Sequence, residues 1–168
     1  MEKDKFVVIS PVYLANSILK EARGKNIKIN LEKLNNLIYL IYTDYFYHTQ
    51  NKLFNEQFSL TEKGPVLPSV YFKFNCYGYE EIKNYASDSK GNIYTAHNDM
   101  LDSIINYNLN LHGYSFVNEL IEITKERSNV RQNFYNNKDI SSDGKKTHIE
   151  KQKVYTLQLK RVENKKRS

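Results

Sequence analysis

Two stretches read together decide the fold: NLEKLNNLIYLIYTDYFY, residues 30–47, and GPVLPSVY, residues 64–71. In the first, Leu31, Leu34, Leu37, Ile38, Ile41, Tyr42 and Tyr45 recur at the three-and-four spacing that draws an apolar stripe along an α-helix. Asn30 suits the N-cap, where its side-chain oxygen accepts from a first-turn amide, and Glu32 suits the positive end of the helix dipole. Lys33 and Asp44 oppose that dipole, so burial against the rest of the chain must hold this helix. In the second stretch, each proline fixes φ, lacks an N–H and drives its predecessor out of the α region. Gly64 and Leu67 are therefore expected to be non-helical, which makes a rigid bend. Pro68 then opens a new helix through Val70, Tyr71, Phe72 and Phe74, with Gly78 at its end.

Working outward, Ser10-Pro11 reads as a cap followed by a first-turn proline. Leu14, Ala15, Ile18, Leu19 and Ala22 form a helical stripe closed by Arg23-Gly24. This helix is expected to pack on the 30–47 helix across a short connection. Phe6-Val7-Val8-Ile9 reads as an edge strand or a lead-in, and the alternation of Gln57–Thr61 as a brief strand. Lys83–Asn98 is rich in turn residues and reads as loop. Met100, Leu101, Ile104, Ile105 and Tyr107 give a fourth stripe, capped by Asn98 or Asp99. Phe116, Val117, Leu120, Ile121 and Thr124 give a fifth, with Ser115 as its expected cap. Glu126–Gln152 is polar and expected to be exposed. Val154–Lys160 alternates again and is expected to pair with Gln57–Thr61. The expected fold is mainly α with a minor β element, an α+β helical bundle with a short sheet. Residues 1–125 are its core and residues 126–168 a basic segment packed on it or trailing from it.

A chain of 168 residues suits one domain, and its 40% hydrophobic content with a mean hydropathy of −0.68 fits a polar exterior around a real core. With 14 Tyr, 8 Phe and no Trp, many hydroxyls need partners or a route to water. No apolar run reaches the roughly 18 residues of a membrane span. The first residues do not resemble a signal peptide, and a lone Cys76 fits a reducing compartment, so the cytoplasm is the expected location. The net charge of +6 is compatible with nucleic acid or an acidic protein as partner, and equally with a solvated basic surface.

The helix and the turn carry a resemblance. Lys33, Leu34, Leu37 and Tyr39, with Ile38 as a conservative exchange, resemble the Lys-Leu-Gln-Lys-Leu-Leu-Tyr helix of the Panacea domain family. Gly64, Pro65, Val66, Pro68, Val70 and Tyr71 resemble its Gly-Pro-Val-x-Pro-x-Val-Tyr turn. Asn35 and Asn36 stand where that family favours glutamine and lysine. Thr61 and Lys63 lie where it has an aromatic residue, and its Thr-His and Pro-Trp signatures are reduced to Thr124-Lys125. The similarity covers roughly Val12 to Lys125 and is specific in its first half. What the resemblance implies is an antitoxin-like role of the SocA type. The chain would mask a toxin or other effector by direct contact, or present it to an ATP-dependent protease, without catalysis or cofactor.

Residues that carry chemistry are sparse. Cys76 lies among aromatic residues, which reads as a buried, inert thiol. His48, His97, His112 and His148 lack the spacing of helical zinc ligands. Asp99 with Asp102, and Glu119 with Glu122, read as solvated helix faces. Binding features are stronger. Tyr39 and Tyr42 read as core. Tyr45, Tyr47 and Tyr71, together with Lys33 of the matching helix, are the expected partner contacts, set in a groove that the proline bend positions beside the central helix. Lys125, Arg127, Arg131, Lys145, Lys146 and Lys153 are the candidate nucleic-acid contacts. They serve the rival expectation, a basic accessory protein of a phage or mobile element that binds nucleic acid or inhibits an RNA-guided nuclease.

Overall fold

A computed structural model describes residues 5–140 and 154–164. Its centre is α2, Leu31–Thr49. Asn30 caps it, accepting from the Lys33 amide at 2.9 Å. The predicted stripe is buried, with Leu34, Leu37, Ile38 and Ile41 all at 0% exposure. Burial extends beyond the stripe to Lys33, Asn35, Asn36, Leu40 and Thr43, so α2 is covered on nearly every side, as befits a helix that other elements surround. Those elements are α1 (Pro11–Gly24), β3 (Gly64–Val66), α3 (Pro68–Phe74), α4 (Asp99–His112) and α5 (Val117–Ile140).

The start and stop signals of α1 act as the sequence implies: Ser10 accepts from the Val12 amide at 3.3 Å and Pro11 is the first helical residue. Asn98 caps α4 through the Leu101 amide at 2.7 Å. The fifth helix departs from expectation, because it begins at Val117 and Phe116, not Ser115, supplies the carbonyl that accepts its first amides. It also runs on to Ile140, so the first part of the polar stretch from Glu126 is helical.

The strands correct the sequence reading twice. Val154–Lys160 does not pair with Gln57–Thr61. Instead β5, Leu157–Arg161, is the middle strand of an antiparallel sheet between β1 (Lys5–Phe6) and β4 (Tyr94–His97), with Phe6 opposite Leu157 and Ala96 opposite Leu159. Second, β4 lies inside the stretch read as loop, although Ser87–Gly91 does form turns. Among the described residues no strand lies beside the outer edge of β4. Side chains of α1 take that place: Asn16 Nδ2 donates to Tyr94 O at 3.0 Å, Ser17 Oγ donates to Ala96 O at 2.9 Å, and Ser17 Oγ accepts from Ala96 N at 2.7 Å. Asn16 also closes two bonds with the backbone of Ala86, at 2.8 and 2.9 Å. Two polar residues on a helix thus satisfy backbone groups that burial would otherwise leave unpaired.

The second sheet is a hairpin of β2 (Ser59–Thr61) and β3, with Thr61 opposite Gly64 and Leu60 opposite Pro65. At the proline corner the chain is extended at Leu67, φ −97° and ψ 120°, before Pro68 begins α3. A 3₁₀ turn at Asn75–Tyr77 follows, and Gly78, at φ +59°, ends the segment.

Candidate functional site

The corner is pinned to α2 by side chains that the helical pattern alone marks as outsiders. Asn35 Oδ1 accepts from Leu67 N at 3.1 Å, and Asn36 Nδ2 donates to Lys63 O at 3.1 Å. The Asn36 carbonyl accepts from Thr124 Oγ1 of α5 at 2.7 Å, so one amide ties the hairpin, α2 and α5 together. Pro65, Leu67 and Val70 are buried, and Ser69 N donates to the Glu56 carboxylate at 2.9 Å, which places a negative charge at the start of α3. The backbone of this corner is therefore held from three directions.

Beside it lies a groove of about 810 Å³. Leu31, Glu32 and Asn35 of α2 form one wall. Thr61 to Lys63 and Val66 of the hairpin form a second, and Pro68, Tyr71, Phe72 and Tyr79 complete it. Its aromatic side chains are open to solvent: Tyr71 is 47% exposed, Phe72 74% and Tyr79 75%. Lys63 spans the rim, 3.1 Å from Glu32 Oε1 and 3.0 Å from the Tyr79 hydroxyl, with its ammonium 4.8 Å from the Tyr79 ring centre. The Tyr79 hydroxyl and then the Glu32 carboxylate hold that ammonium charged beyond the usual lysine range. An apolar recess with a polar rim has the physical character of binding surfaces.

The expected contact residues divide. Tyr71 lines the groove, and Tyr47, 77% exposed at the far end of α2, is on the surface but not in it. Tyr45 is a correction: it is 1% exposed, and its hydroxyl accepts from Asn98 Nδ2 at 2.8 Å, so it joins α2 to the start of α4. Lys33 is a second correction, since it is 8% exposed and its ammonium donates to the Gly113 carbonyl beneath the α4–α5 connection. Burial lowers the Lys33 pKa. Tyr39, Leu34, Leu37, Gly64, Pro65 and Val70 are buried and Val66 half-buried, as structural residues. Pro68 is exposed and forms part of the groove. Phe72 and Tyr79 line the groove without having been expected as contacts; for Phe72 the signal is that α3 is too short to hide Val70, Tyr71, Phe72 and Phe74 together, whereas Tyr79, beyond the Gly78 turn, carries no such signal.

The basic candidates also divide. Lys125 is exposed on α5. Arg127 is committed internally, donating to Asp44 Oδ1 and Thr43 Oγ1 at 2.9 Å and to Leu40 O at 3.2 Å, so it braces α5 against α2 rather than facing a phosphate. The Arg131 side chain and all of Lys145, Lys146 and Lys153 lie outside the described residues.

Two chemical features remain. Thr95 Oγ1 lies 2.7 Å from His97 Nε2, whose Nδ1 is 3.0 Å from Asp102 Oδ1. This hydroxyl–imidazole–carboxylate order resembles a nucleophile relay, but Thr95 is 0% exposed. The array instead joins β4 to the first turn of α4. Cys76, read as buried, is exposed. Among the described residues no group of three or more His, Cys, Asp or Glu side chains could hold a metal ion, and no helix is long and apolar enough to cross a membrane. Compared with models of protein families, with curated proteins and with solved structures, the chain matches none.

Proposed function

We propose that this chain is a non-enzymatic binding protein that neutralises a partner protein by direct contact, using the groove at the proline corner. The observation that carries the reading is the exposure of Tyr71, Phe72 and Tyr79 around an apolar recess whose backbone is fixed by Asn35 and Asn36. Aromatic anchors on a rigid frame lose little conformational freedom on binding, and a few of them supply most of the affinity of an interface of about 1,600 Å². The resemblance of residues 12–125 to antitoxin-like proteins of the Panacea family supports an effector as that partner, with delivery to a protease as the adaptor form of the same contact.

Affinity capture from the source cell tests this with the full chain and with a Tyr71→Ala/Phe72→Ala/Tyr79→Ala chain of unchanged thermal midpoint. A protein retained by the parent, lost by the variant and indifferent to nuclease is the expected result. Equal retention by both chains overturns the reading. Retention that nuclease abolishes, and that falls steeply between about 50 and 200 mM salt, supports the basic-segment reading instead, with nucleic acid or a nucleoprotein as partner.

A further inference from the structure

The groove is locally acidic on a basic protein. Its charged lining residues are Glu32, Glu62 and Lys63, two carboxylates to one ammonium, whereas the whole chain carries +6. Glu62, at the hairpin tip, has no hydrogen-bond or ion-pair partner among the described residues. Lys63 is shared between Glu32 and the Tyr79 hydroxyl and thus occupies the Glu32 carboxylate in the free protein. A phosphate backbone would meet two carboxylates here and is disfavoured.

Building on the reading of this groove as a protein-docking surface, we infer that it selects a partner segment presenting a bulky apolar side chain flanked by a lysine or arginine. The apolar side chain lies against Tyr71, Phe72 and Val66. The adjoining cation meets Glu62 and competes with Lys63 for Glu32. Complementary rim charges fix which segment docks and in what register, while the apolar anchor supplies the affinity. An acidic flank meets the two carboxylates and is rejected, so the rim discriminates by repulsion as well as attraction.

The test uses a random twelve-residue peptide library displayed on phage, selected on the immobilised full chain and counter-selected on the Tyr71→Ala/Phe72→Ala/Tyr79→Ala chain. Selected peptides are then synthesised with the flanking cation retained, replaced by glutamine or replaced by glutamate, and titrated by calorimetry against the parent, Glu62→Gln and Glu62→Lys chains. Glu62 lies in an exposed turn, and thermal midpoints confirm that the variants fold. The expected result is groove-dependent peptides enriched in lysine or arginine beside a large apolar residue. Loss of the cation should weaken binding about threefold to fivefold on the parent and leave Glu62→Lys indifferent or inverted towards the glutamate peptide. Groove-dependent peptides with no cation preference, or an unchanged preference on Glu62→Lys, overturn this inference and leave the docking surface standing. No groove-dependent peptides at all overturns both. Sedimentation of the free chain supplies the remaining outcome: a dimer that the triple variant dissolves would make a second copy the occupant and overturn the inference.

Discussion

A Cβ at residue 64 would stand 2.3 Å from Asn36 Oδ1, and the backbone there has φ +92°, a region that side-chain-bearing residues rarely adopt. Gly64→Ala is expected to lower stability by about 2–3 kcal/mol, read as a shifted urea midpoint, since both strain and displacement of the Asn36 amide follow. Thr124→Val removes the hydroxyl that donates to the same amide oxygen and should cost about 1–3 kcal/mol, because both groups are buried. If Thr124→Val is neutral, the three-way knot of hairpin, α2 and α5 does not hold the corner. The sequence pattern made Gly64 legible, because a Gly-Pro-Val-x-Pro run leaves few backbone options. It did not make Asn36 legible: a polar residue in a helical stripe ordinarily faces water, and only the arrival of Lys63 and Thr124 from distant positions makes it a buried junction. Lys33 is buried against the same expectation, whereas Tyr45 stands on the apolar stripe and is expected at the surface only because Tyr39, Tyr42, Tyr45 and Tyr47 cannot all face one way.

Among elements, the helices were readable and the strands in part: Gln57–Thr61 holds β2 and Val154–Lys160 holds most of β5, whereas β3, β4 and the strand pairings were not legible. Four apolar stripes and the Pro68 start signal correspond to five helices, because a repeat of three and four over several turns is a strong local signal and a first-turn proline marks the short one. β4 spans four residues and its outer edge is satisfied by Asn16 and Ser17, 78 and 79 positions away in sequence, so no local pattern announces it. β5 alternates visibly, but alternation fixes which residues share a face and not which neighbour the strand finds. The edge cap is testable. Asn16→Leu keeps size and removes all three bonds to Tyr94 and Ala86, so it should cost at least about 2 kcal/mol and speed amide exchange at Ala86. Exchange rates at Ala86 equal to those of the parent would show that α1 does not substitute for a strand.

For the molecule as a whole, pH probes the joins between elements at both ends of the scale. His112, 9% exposed on α4, has its pKa lowered below the usual 6.5 by burial first and by the Arg127 charge second, with Asp44 opposing. Its folded pKa is depressed, so as pH falls below 6.5 the unfolded chain takes up a proton that the native chain refuses. Stability should therefore decline from pH 6.5 downward and level off once the native imidazole also protonates. His112→Gln should flatten that slope; an equal slope in both chains would place the proton elsewhere. Asp88, lowered mainly by the Asn92 amide, acts in the separate window below the usual carboxylate pKa of 3.8. At the alkaline end Tyr13 joins α1 to the Ser87–Gly91 turns by donating to Asp88 at 2.8 Å, and burial followed by that bond raises its pKa to about 12. Here the folded pKa exceeds the unfolded value of 10.0, so the contribution is whole below pH 10 and is lost as pH rises through about 12. Tyr45, raised by burial, acts in the same sense, whereas Lys33, lowered by burial, acts in the opposite one. Only a difference measurement isolates the first of these. The gap in urea midpoint between the parent and Tyr13→Phe should narrow between pH 9 and 11.5 if the phenol proton secures this join, and a gap independent of pH would mean that the hydroxyl contributes nothing to it.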